Sequence, residues 1–490
     1  MLPDGDAAAP RPSDGPSTAQ EAPSLEAYYQ QKLNWRDCGD GFQCARLLVP
    51  LNYQDPDGKQ LQLAVIRLPA ADRDRRVGSL VVNPGGPGAS GVDYARAARQ
   101  TVTAGARERF DVVGFDPRGV GASRPAVRCL DADQMDAYLA ADASPDDKDE
   151  EQELVAEGRD FAQGCEQRSG DLLPYVGTRD AARDMDVLRS ALGDERLTYL
   201  GKSYGTYLGA HYADLFPKRV RALVLDGAMD PDLSGVQTYL TQAKGFEVAL
   251  KAFVTDCVRH DDCPLGSGGV DKAIERLEDL VARTDRKPLR NQLGDGRETT
   301  QALAVLGIAR ALYSKDAWGY LRLGLQRASN GDGTLLLQLG DDLSGRRPDG
   351  TYTNQSEANM AVNCLDRPMP REVDEFREDA KKADSASPHF GEFVAWGALP
   401  CAFWLVRPSE QEQDLDAAGA APILVVGTTR DPATPYGWAE ALAKQLESGL
   451  LLTLDGDGHT AYASGSSCID RAVDDYLVEG KPPESDTTCS

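Results

Sequence analysis

Short apolar runs that end in turn-forming residues recur in both the first and the last part of the chain. They lie at 61–69, 79–83, 111–116, 196–202, 220–226, 422–427 and 450–455. Runs of this length, bounded by Gly, Pro, Asp or Asn, are typical of strands buried in a mostly parallel sheet. Between them apolar positions recur at helical spacing, most clearly at 179–192, for which Thr178 is the predicted N-cap. This alternation predicts a doubly wound α/β fold.

The middle of the chain has a different pattern. From about Pro231 to about Gly419 the spacing is mainly helical, with Gly-rich breaks and no clear strand alternation. It predicts a large helical cap over 231–419, inserted between two halves of one sheet domain at 25–230 and 420–490. An acidic run that ends at Glu153 is predicted to be a solvated face or a loop.

Composition and charge exclude several functional classes. The chain has 53 basic and 78 acidic residues and a net charge of −25. This charge argues against binding to nucleic acid or to an anionic membrane. No stretch approaches the ~18 apolar residues of a membrane span. Residues 1–24 are rich in Pro, Ala, Ser and Asp and are expected to form an unfolded lead without the features of a signal peptide.

Ten cysteines point to an oxidising compartment. No two of them form a C-x-x-C pair, and the chain has only four histidines, so no metal site is predicted. Disulfide bonds are the favoured interpretation. Connectivity cannot be derived from sequence, but proximity along the chain suggests the pairs 38–44, 129–165, 257–263, 364–401 and 468–489.

The candidate catalytic motif is the segment Gly201-Lys202-Ser203-Tyr204-Gly205. This G-x-S-x-G follows a predicted strand and precedes a helical stretch, as a nucleophile elbow requires. Small residues are needed two positions before and after the serine because the turn is too tight for side chains there. Ser203 is therefore the candidate nucleophile of an α/β-hydrolase fold.

The general base is found by elimination among the four histidines. His211 lies two helical turns beyond Ser203, about 12 Å away. His260 and His389 both lie in the helical insertion, whereas His459 follows the last apolar run in a Gly-rich loop. His459 is thus the predicted base.

The acid is expected between the nucleophile and the base in the chain order Ser, acid, His. Asp431 follows the run at 422–427 and precedes His459 by one helix and one strand. Its predicted role is to fix the His459 tautomer and stabilise the imidazolium. Asp226, at the end of the strand after the nucleophile helix, is the alternative.

An oxyanion hole needs two backbone N–H donors. One is predicted to be that of Tyr204, directly after the nucleophile. The second is predicted in the loop Asn83-Pro84-Gly85-Gly86-Pro87-Gly88, with Gly86 as the donor and Gly85 next to it. The segment 116–119, Asp-Pro-Arg-Gly, is expected to brace this loop.

Five segments together resemble the secreted tripeptidyl aminopeptidases of actinobacteria, relatives of the prolyl aminopeptidases. They are NPGGPGASG, GFDPRGVGAS, GKSYGTYLG, TRDPATP and GDGHTAY, and the resemblance extends from about Trp35 onward. It implies an α/β-hydrolase core, a helical cap, no cofactor, export with disulfides, and removal of short peptides, tripeptides by analogy, from free N-termini. By position it implies the triad Ser203, Asp431 and His459. Pro84 stands where the prolyl aminopeptidases have a histidine.

An aminopeptidase must recognise the α-ammonium group of its substrate, and a carboxylate in the cap can do so. Glu357 and Asp366, in the stretch around Cys364 that resembles the family, are the candidates. An esterase or amidase with the same triad remains the alternative, because a fold does not fix a substrate.

Overall fold

The computed structural model describes residues 25–407 and 415–490, so the predicted lead at 1–24 lies outside the described residues. Ten strands of this part form one sheet in the order β1-β2-β3-β5-β4-β6-β7-β10-β11-β12, and β8 and β9 form a small hairpin. The strands are β1 (Arg36–Asp37), β2 (Gln43–Asn52), β3 (Asp55–Leu68), β4 (Gly78–Asn83), β5 (Phe110–Phe115), β6 (Leu197–Lys202), β7 (Val220–Asp226), β8 (Leu289–Arg290), β9 (Glu298–Thr299), β10 (Ile423–Arg430), β11 (Gly449–Asp457) and β12 (Thr487–Cys489).

The helices of the described residues cover both faces of this sheet and build the cap. They are α1 (Leu25–Gln30), α2 (Gly91–Arg96), α3 (Ala98–Thr101), α4 (Ala104–Arg109), α5 (Ala132–Ala140), α6 (Lys148–Ser169), α7 (Thr178–Leu192), α8 (Tyr204–Leu215), α9 (Gly235–Cys257), α10 (Val270–Arg286), α11 (Gln301–Leu312), α12 (Trp318–Ser329), α13 (Thr334–Ser344), α14 (Gln355–Asp366), α15 (Val373–Ala386), α16 (Gly391–Trp396), α17 (Tyr436–Gln445) and α18 (Ser467–Glu479).

The sheet is parallel from β5 to β12 and antiparallel at the edge formed by β1, β2 and β3. Every residue of β4 and β5 is buried, as expected of central parallel strands covered on both faces. Two apolar clusters fill the two faces, one around Tyr199 and Leu208, the other around Leu200 and Tyr462. The predicted α/β-hydrolase fold with a mostly parallel sheet is confirmed.

The cap consists of helices α9 to α16 and has an apolar core of its own. Phe253, Trp318 and Leu321 are among the buried side chains of this core. The insertion predicted to be helical is therefore helical, apart from the hairpin of β8 and β9. The division of the chain at 230 and 420 stays a prediction.

Helices α5 and α6 change the interpretation of the acidic run that ends at Glu153. The run does not form a loop, because most of it belongs to these helices, and α6 begins at a capping box of Asp147 and Glu150. Several of its acidic side chains are exposed, but Asp136 forms an ion pair with Arg346 of the cap. Next to the run, Leu154 packs with cap residues such as Phe376 and Trp396. A segment from the first part of the chain thus contributes to the cap side.

Thr178 is not the N-cap of α7, contrary to the prediction. Gly177 occupies the cap position and Thr178 is the first helical residue. The Thr178 hydroxyl instead donates to the Asp366 carboxylate, so it joins α7 to the cap helix α14.

The five disulfide pairs suggested by proximity are all present: Cys38–Cys44, Cys129–Cys165, Cys257–Cys263, Cys364–Cys401 and Cys468–Cys489. They use all ten cysteines. In the part of the chain that the structure describes, no helix has the length and apolar character needed to cross a bilayer.

Candidate active site

Ser203 lies in the sharp turn between β6 and α8. Its backbone has φ 56° and ψ −125°, a conformation that a residue with a side chain rarely adopts. The turn is held by the Ser203 N–H, which donates to Asp226 O at 2.9 Å, and by the Thr206 N–H, which donates to Ser203 O at 2.8 Å. A strained serine at the carboxyl end of a central strand is the geometry of a nucleophile elbow.

Glycines surround this turn because the backbones approach one another closely. A Cβ at Gly201 would lie 2.3 Å from Gly205 O, and a Cβ at Gly205 would lie 2.9 Å from Asn83 O. Neither Gly201 nor Gly205 can therefore be replaced by a residue with a side chain unless the turn shifts. The small residues that the sequence placed around Ser203 are thus required by contacts within the turn and with the end of β4.

His459 and Asp431 form a hydrogen-bonded pair at the carboxyl ends of β11 and β10. His459 Nδ1 lies 2.9 Å from both Asp431 carboxylate oxygens. The N–H groups of Ala433 and Thr434 each donate to Asp431 Oδ1 at 2.9 Å, so the carboxylate is fixed in place. An imidazole held at Nδ1 presents Nε2 as the free proton acceptor.

The alternative acid, Asp226, has other partners. It is fully buried, and its carboxylate accepts hydrogen bonds from the N–H groups of Ala461 and Tyr462. Asp431 therefore holds His459 Nδ1, while Asp226 holds the backbone of the loop that follows His459.

The other three histidines occupy structural positions. Burial, with Arg179 and Arg367 nearby, lowers the pKa of His211 to about 3, and its ring packs edge-on against Tyr207. His389 lies between two glutamates of the cap, and His260 lies 3.4 Å from Asp256. None of the three lines the cavity that contains Ser203.

The loop from Asn83 to Gly88 lies against the nucleophile elbow. A Cβ at Gly85 would lie 2.8 Å from Ser203 Cβ and 3.0 Å from Tyr204 N. The Gly85 N–H donates to Asn83 Oδ1 at 2.9 Å, which leaves Gly86 as the better donor of the two for a substrate. Gly86 lines the same cavity as Ser203.

A cavity of about 610 Å³ lies between this loop and the cap. Ser203 and His459 both line it, and its cap side is mainly apolar. Polar side chains of the lining come from α9 and α14 and include Gln242, Asn359 and Asn363. Among the residues that the structure describes, no Asp and no Glu lines this cavity.

Glu357 does not line this cavity, which corrects the expectation that it holds the substrate ammonium group. It is buried, and its carboxylate accepts hydrogen bonds from Cys129 N at 2.5 Å and Leu130 N at 3.1 Å. Arg128 lies 3.6 Å away as its ion-pair partner. Glu357 therefore fastens α14 to the segment after β5.

Asp366 is also absent from the cavity lining. Its carboxylate accepts hydrogen bonds from Thr178 N at 2.8 Å and from the Thr178 hydroxyl. Burial raises the pKa of Asp366 to about 6, and the hydrogen bonds from Thr178 oppose that rise. Its partners join the cap to α7 and leave no carboxylate oxygen directed at the cavity.

The acidic residues near one another in the described part of the chain do not form a metal site at the cavity. Asp146, Asp147 and Glu150 are the three side chains close enough to share an ion there. They lie at the start of α6, where the carboxylates of Asp147 and Glu150 cap the helix by accepting hydrogen bonds from backbone N–H groups.

Two contacts of the site had no signal in the sequence. The His459 N–H donates to Tyr313 O at 2.8 Å, and the Tyr313 ring packs edge-on against the imidazole at 5.2 Å. Thr434 Oγ1 lies 3.0 Å from Asp431 Oδ2. Tyr313 belongs to the cap, so the cap directly contacts the predicted base.

Known proteins resemble this chain along most of its length. A family model described as TAP-like protein matches residues 387–489. The serine protease Hip1 of Mycobacterium tuberculosis is 40% identical over 483 residues, covering 94% of this chain and 91% of that protein. Carboxylesterase B of the same species is 41% identical over 462 residues, covering 91% and 86%. The tripeptidyl aminopeptidase of Streptomyces lividans is 34% identical over 472 residues, covering 94% and 86%.

The fold, the serine elbow and the paired His459 and Asp431 agree with this similarity. The chain is a hydrolase and belongs to the family of α/β hydrolases that includes the tripeptidyl aminopeptidases and the serine protease Hip1.

Proposed function

We propose that the protein is a secreted exopeptidase that releases short peptides, tripeptides in particular, from free N-termini. The observation that carries this proposal is the arrangement around one cavity: the strained Ser203 and the His459 of the His459–Asp431 pair line the same space beneath the cap. An extended tripeptide is about 10 Å long, and a cavity of about 610 Å³ is of the size that holds such ligands.

The proposed reaction proceeds through an acyl-enzyme. Ser203 Oγ attacks the scissile carbonyl while His459 Nε2 takes its proton, and Asp431 stabilises the imidazolium. The N–H groups of Gly86 and Tyr204 bind the oxyanion. His459 then protonates the leaving amine, and water hydrolyses the ester on Ser203.

The free N-terminus needs a carboxylate, and none of the described residues that line the main cavity supplies one. We assign this role to Glu392. A second cavity, of about 220 Å³, shares the wall of Val305, Phe390 and Phe393 with the first, and Glu392 lines it. Burial raises the pKa of Glu392, as do Asp384 and Asp142. A half-buried carboxylate of this kind gains from pairing with an ammonium group.

Export is supported by the five disulfides, which persist in oxidising compartments, and by the similarity to tripeptidyl aminopeptidases. The acidic surface is also consistent with a protein that does not bind nucleic acid.

The test of the exopeptidase assignment compares a tripeptide p-nitroanilide with its N-acetylated form. We expect the wild-type protein to release the intact tripeptide from the free form, and to act at least about 100-fold more slowly on the blocked form, because acetylation removes the charge-assisted bond. Equal rates on both compounds would contradict an aminopeptidase.

The Glu392 assignment is tested with Glu392→Gln. The expected result is a KM raised about 10-fold or more for the free-amino peptide, with little change for an acetylated ester. Glu357→Gln is the matched control, since Glu357 is a cap glutamate that does not line either cavity. Equal losses on both substrates in Glu392→Gln would reject the assignment.

The alternative function is that of an esterase. Two observations favour it: no acidic residue of the described part of the chain lines the main cavity, and a relative of similar identity is named Carboxylesterase B. An esterase would hydrolyse short acyl esters and ignore both tripeptide compounds, so the same assays separate the two functions.

A further inference from the structure

The loop that carries His459 adopts a conformation that its own sequence does not favour. Gly458, Thr460 and Ala463 all have positive φ, at 110°, 68° and 59°. The left-handed region costs a residue with a Cβ about 1–2 kcal/mol. Contacts from outside the loop must therefore hold it in place.

Asp226 supplies one set of these contacts. It is the last residue of β7, and its side chain is fully buried. Its carboxylate accepts hydrogen bonds from Ala461 N at 2.8 Å and from Tyr462 N at 3.0 Å. The residue directly after Asp226 lies against the base itself, because a Cβ at Gly227 would be 3.2 Å from His459 Cε1.

Lys202, which lies in the nucleophile elbow, supplies a positive charge opposite to that of Asp226. It directly precedes Ser203, and its side chain is almost entirely buried. Its ammonium group donates to Tyr462 O at 2.7 Å and to Thr460 Oγ1 at 3.2 Å, and lies 3.7 Å from Asp226 Oδ2. The pair thus binds N–H, C=O and hydroxyl groups of the three residues 460–462, directly after His459.

We propose that Lys202 and Asp226 are positioning residues, a buried ion pair that sets the distance and orientation of His459 relative to Ser203. Lys202 is attached to the strand that presents the nucleophile, and Asp226 to the neighbouring strand. Both hold the loop that presents the base. The inference rests on the proposed triad, and it assigns a role to the variable position of the G-x-S-x-G segment.

The opposite charges of Lys202 and Asp226 also offset each other. Burial raises the pKa of Asp226, and the Lys202 ammonium opposes that rise. Other ionisable groups face the pair or the base from the surrounding elements: Tyr94 from α2, Asp470 from α18, Asp431 from the end of β10 and Tyr313 from the end of α11. Removal of one partner therefore changes the net charge beside the imidazole by one unit.

The experiment measures how fast a fluorophosphonate inactivates the protein between pH 5 and pH 9, in the full chain. At low pH the inactivation rate falls because the base becomes protonated. The pH at which it falls, the acidic limb of the profile, reports the pKa of the base. Asp226→Asn leaves Lys202 and is expected to move the limb to lower pH, whereas Lys202→Met leaves Asp226 and is expected to move it to higher pH. Each shift is expected to be about one pH unit.

The maximal inactivation rate is the second readout. We expect a loss of about 10- to 100-fold in both single variants, because a small displacement of a base has an effect of this size. Lys202→Arg keeps the charge and should recover most of the rate. The double variant should return the limb to its wild-type position without recovering the rate.

Asp186→Asn is the matched control. It removes another fully buried carboxylate, whose partners Arg189 and Arg219 do not belong to the His459 loop. It should lower stability without moving the limb. If Asp226→Asn does not fold, Lys202→Met and the double variant still test the proposal. Rates within about twofold of wild type, or limbs unmoved in both single variants, would overturn it.

The outcome is separable from that of the proposed function. The probe needs only Ser203 and its base, so the profile can be measured even if no free-amino peptide is cleaved. Absence of labelling in the wild-type protein would instead count against the triad.

Discussion

Asp366 is a partly buried residue whose carboxylate links the cap, through Thr178, to the residue after the nucleophile. It accepts two hydrogen bonds from Thr178, and Thr178 Oγ1 lies 2.5 Å from the Tyr204 hydroxyl. Burial raises the pKa of Asp366 to about 6, against 3.8 for an exposed aspartate. The charged form is therefore disfavoured in the folded protein relative to the unfolded chain.

This shift predicts a pH dependence of stability. Since the folded state binds the Asp366 proton more tightly, its contribution to stability falls as pH rises from about 4 to about 6 and is constant above that range. In Asp366→Asn this loss is absent. Stability of the variant relative to wild type should thus improve by about 2–3 kcal/mol between pH 4 and pH 7.

The measurement is thermal or urea unfolding of both proteins at several pH values. The hydrogen bonds that Asn loses shift the variant by a constant amount, so only the slope with pH is diagnostic. A difference between variant and wild type that does not change with pH would contradict the raised pKa.

For single residues of the candidate site, the sequence indicated which residue types to expect and in which order along the chain. It did not indicate where their side chains point. Ser203, Asp431 and His459 could be proposed from the sequence because a turn motif and the order along the chain restrict them, and the structure pairs His459 with Asp431. Glu357 could not be interpreted correctly, since its partners are backbone N–H groups of Cys129 and Leu130, far away in the sequence. Only the folded structure shows which carboxylates already accept hydrogen bonds from protein groups.

The loop between β4 and α2 is the element that approaches the nucleophile most closely. Gly85 has φ 97°, and a Cβ there would lie 2.5 Å from Lys202 O and 2.8 Å from Ser203 Cβ. The loop therefore cannot accept a side chain at this point without displacement of the loop or the elbow.

Gly85→Ala should reduce kcat/KM by at least about 100-fold while the protein remains folded, because it displaces Ser203 and the proposed oxyanion donors together. Gly294→Ala is the control: Gly294 also has a positive φ, 76°, but no atom lies within 4 Å of its Cβ position. Circular dichroism and steady-state kinetics of both variants provide the measurement. Similar activity losses in the two variants would contradict the role given to this loop.

The elements most accurately predicted are the central strands. β4, β6 and β7 lie within one residue of the apolar runs that predicted them, because a strand buried on both faces leaves a continuous apolar signal. β2 and β12 were not predicted, since they lie at or near the sheet edges and carry polar residues on an exposed face. β3 begins at Asp55, six residues before the predicted start, because it pairs with β2 through a polar stretch.

At the scale of the whole molecule, five disulfides restrict the unfolded chain. Cys129–Cys165 closes a loop with a sequence separation of 36 residues, whereas Cys38–Cys44 closes one of 6.

The packing of α5 and α6 against the cap had no signature in the sequence, because it depends on contacts between distant segments.

The loop lengths predict an order of stability losses. Replacement of Cys129 and Cys165 by Ala should lower the free energy of unfolding by about 4 kcal/mol, and replacement of Cys38 and Cys44 by about 2 kcal/mol, because the longer loop loses more entropy in the unfolded state. Denaturant unfolding of the two double variants checks the order. A larger loss for the short loop would contradict the entropic explanation.

The central claim is that Ser203 is the nucleophile, activated by His459 and Asp431. The most direct measurement is mass spectrometry of the protein after reaction with a fluorophosphonate, followed by digestion to locate the adduct. We predict one adduct per chain, on Ser203, at a rate reduced about 10³-fold or more in His459→Ala. An adduct on a different residue, or full hydrolytic activity in Ser203→Ala, would contradict the account.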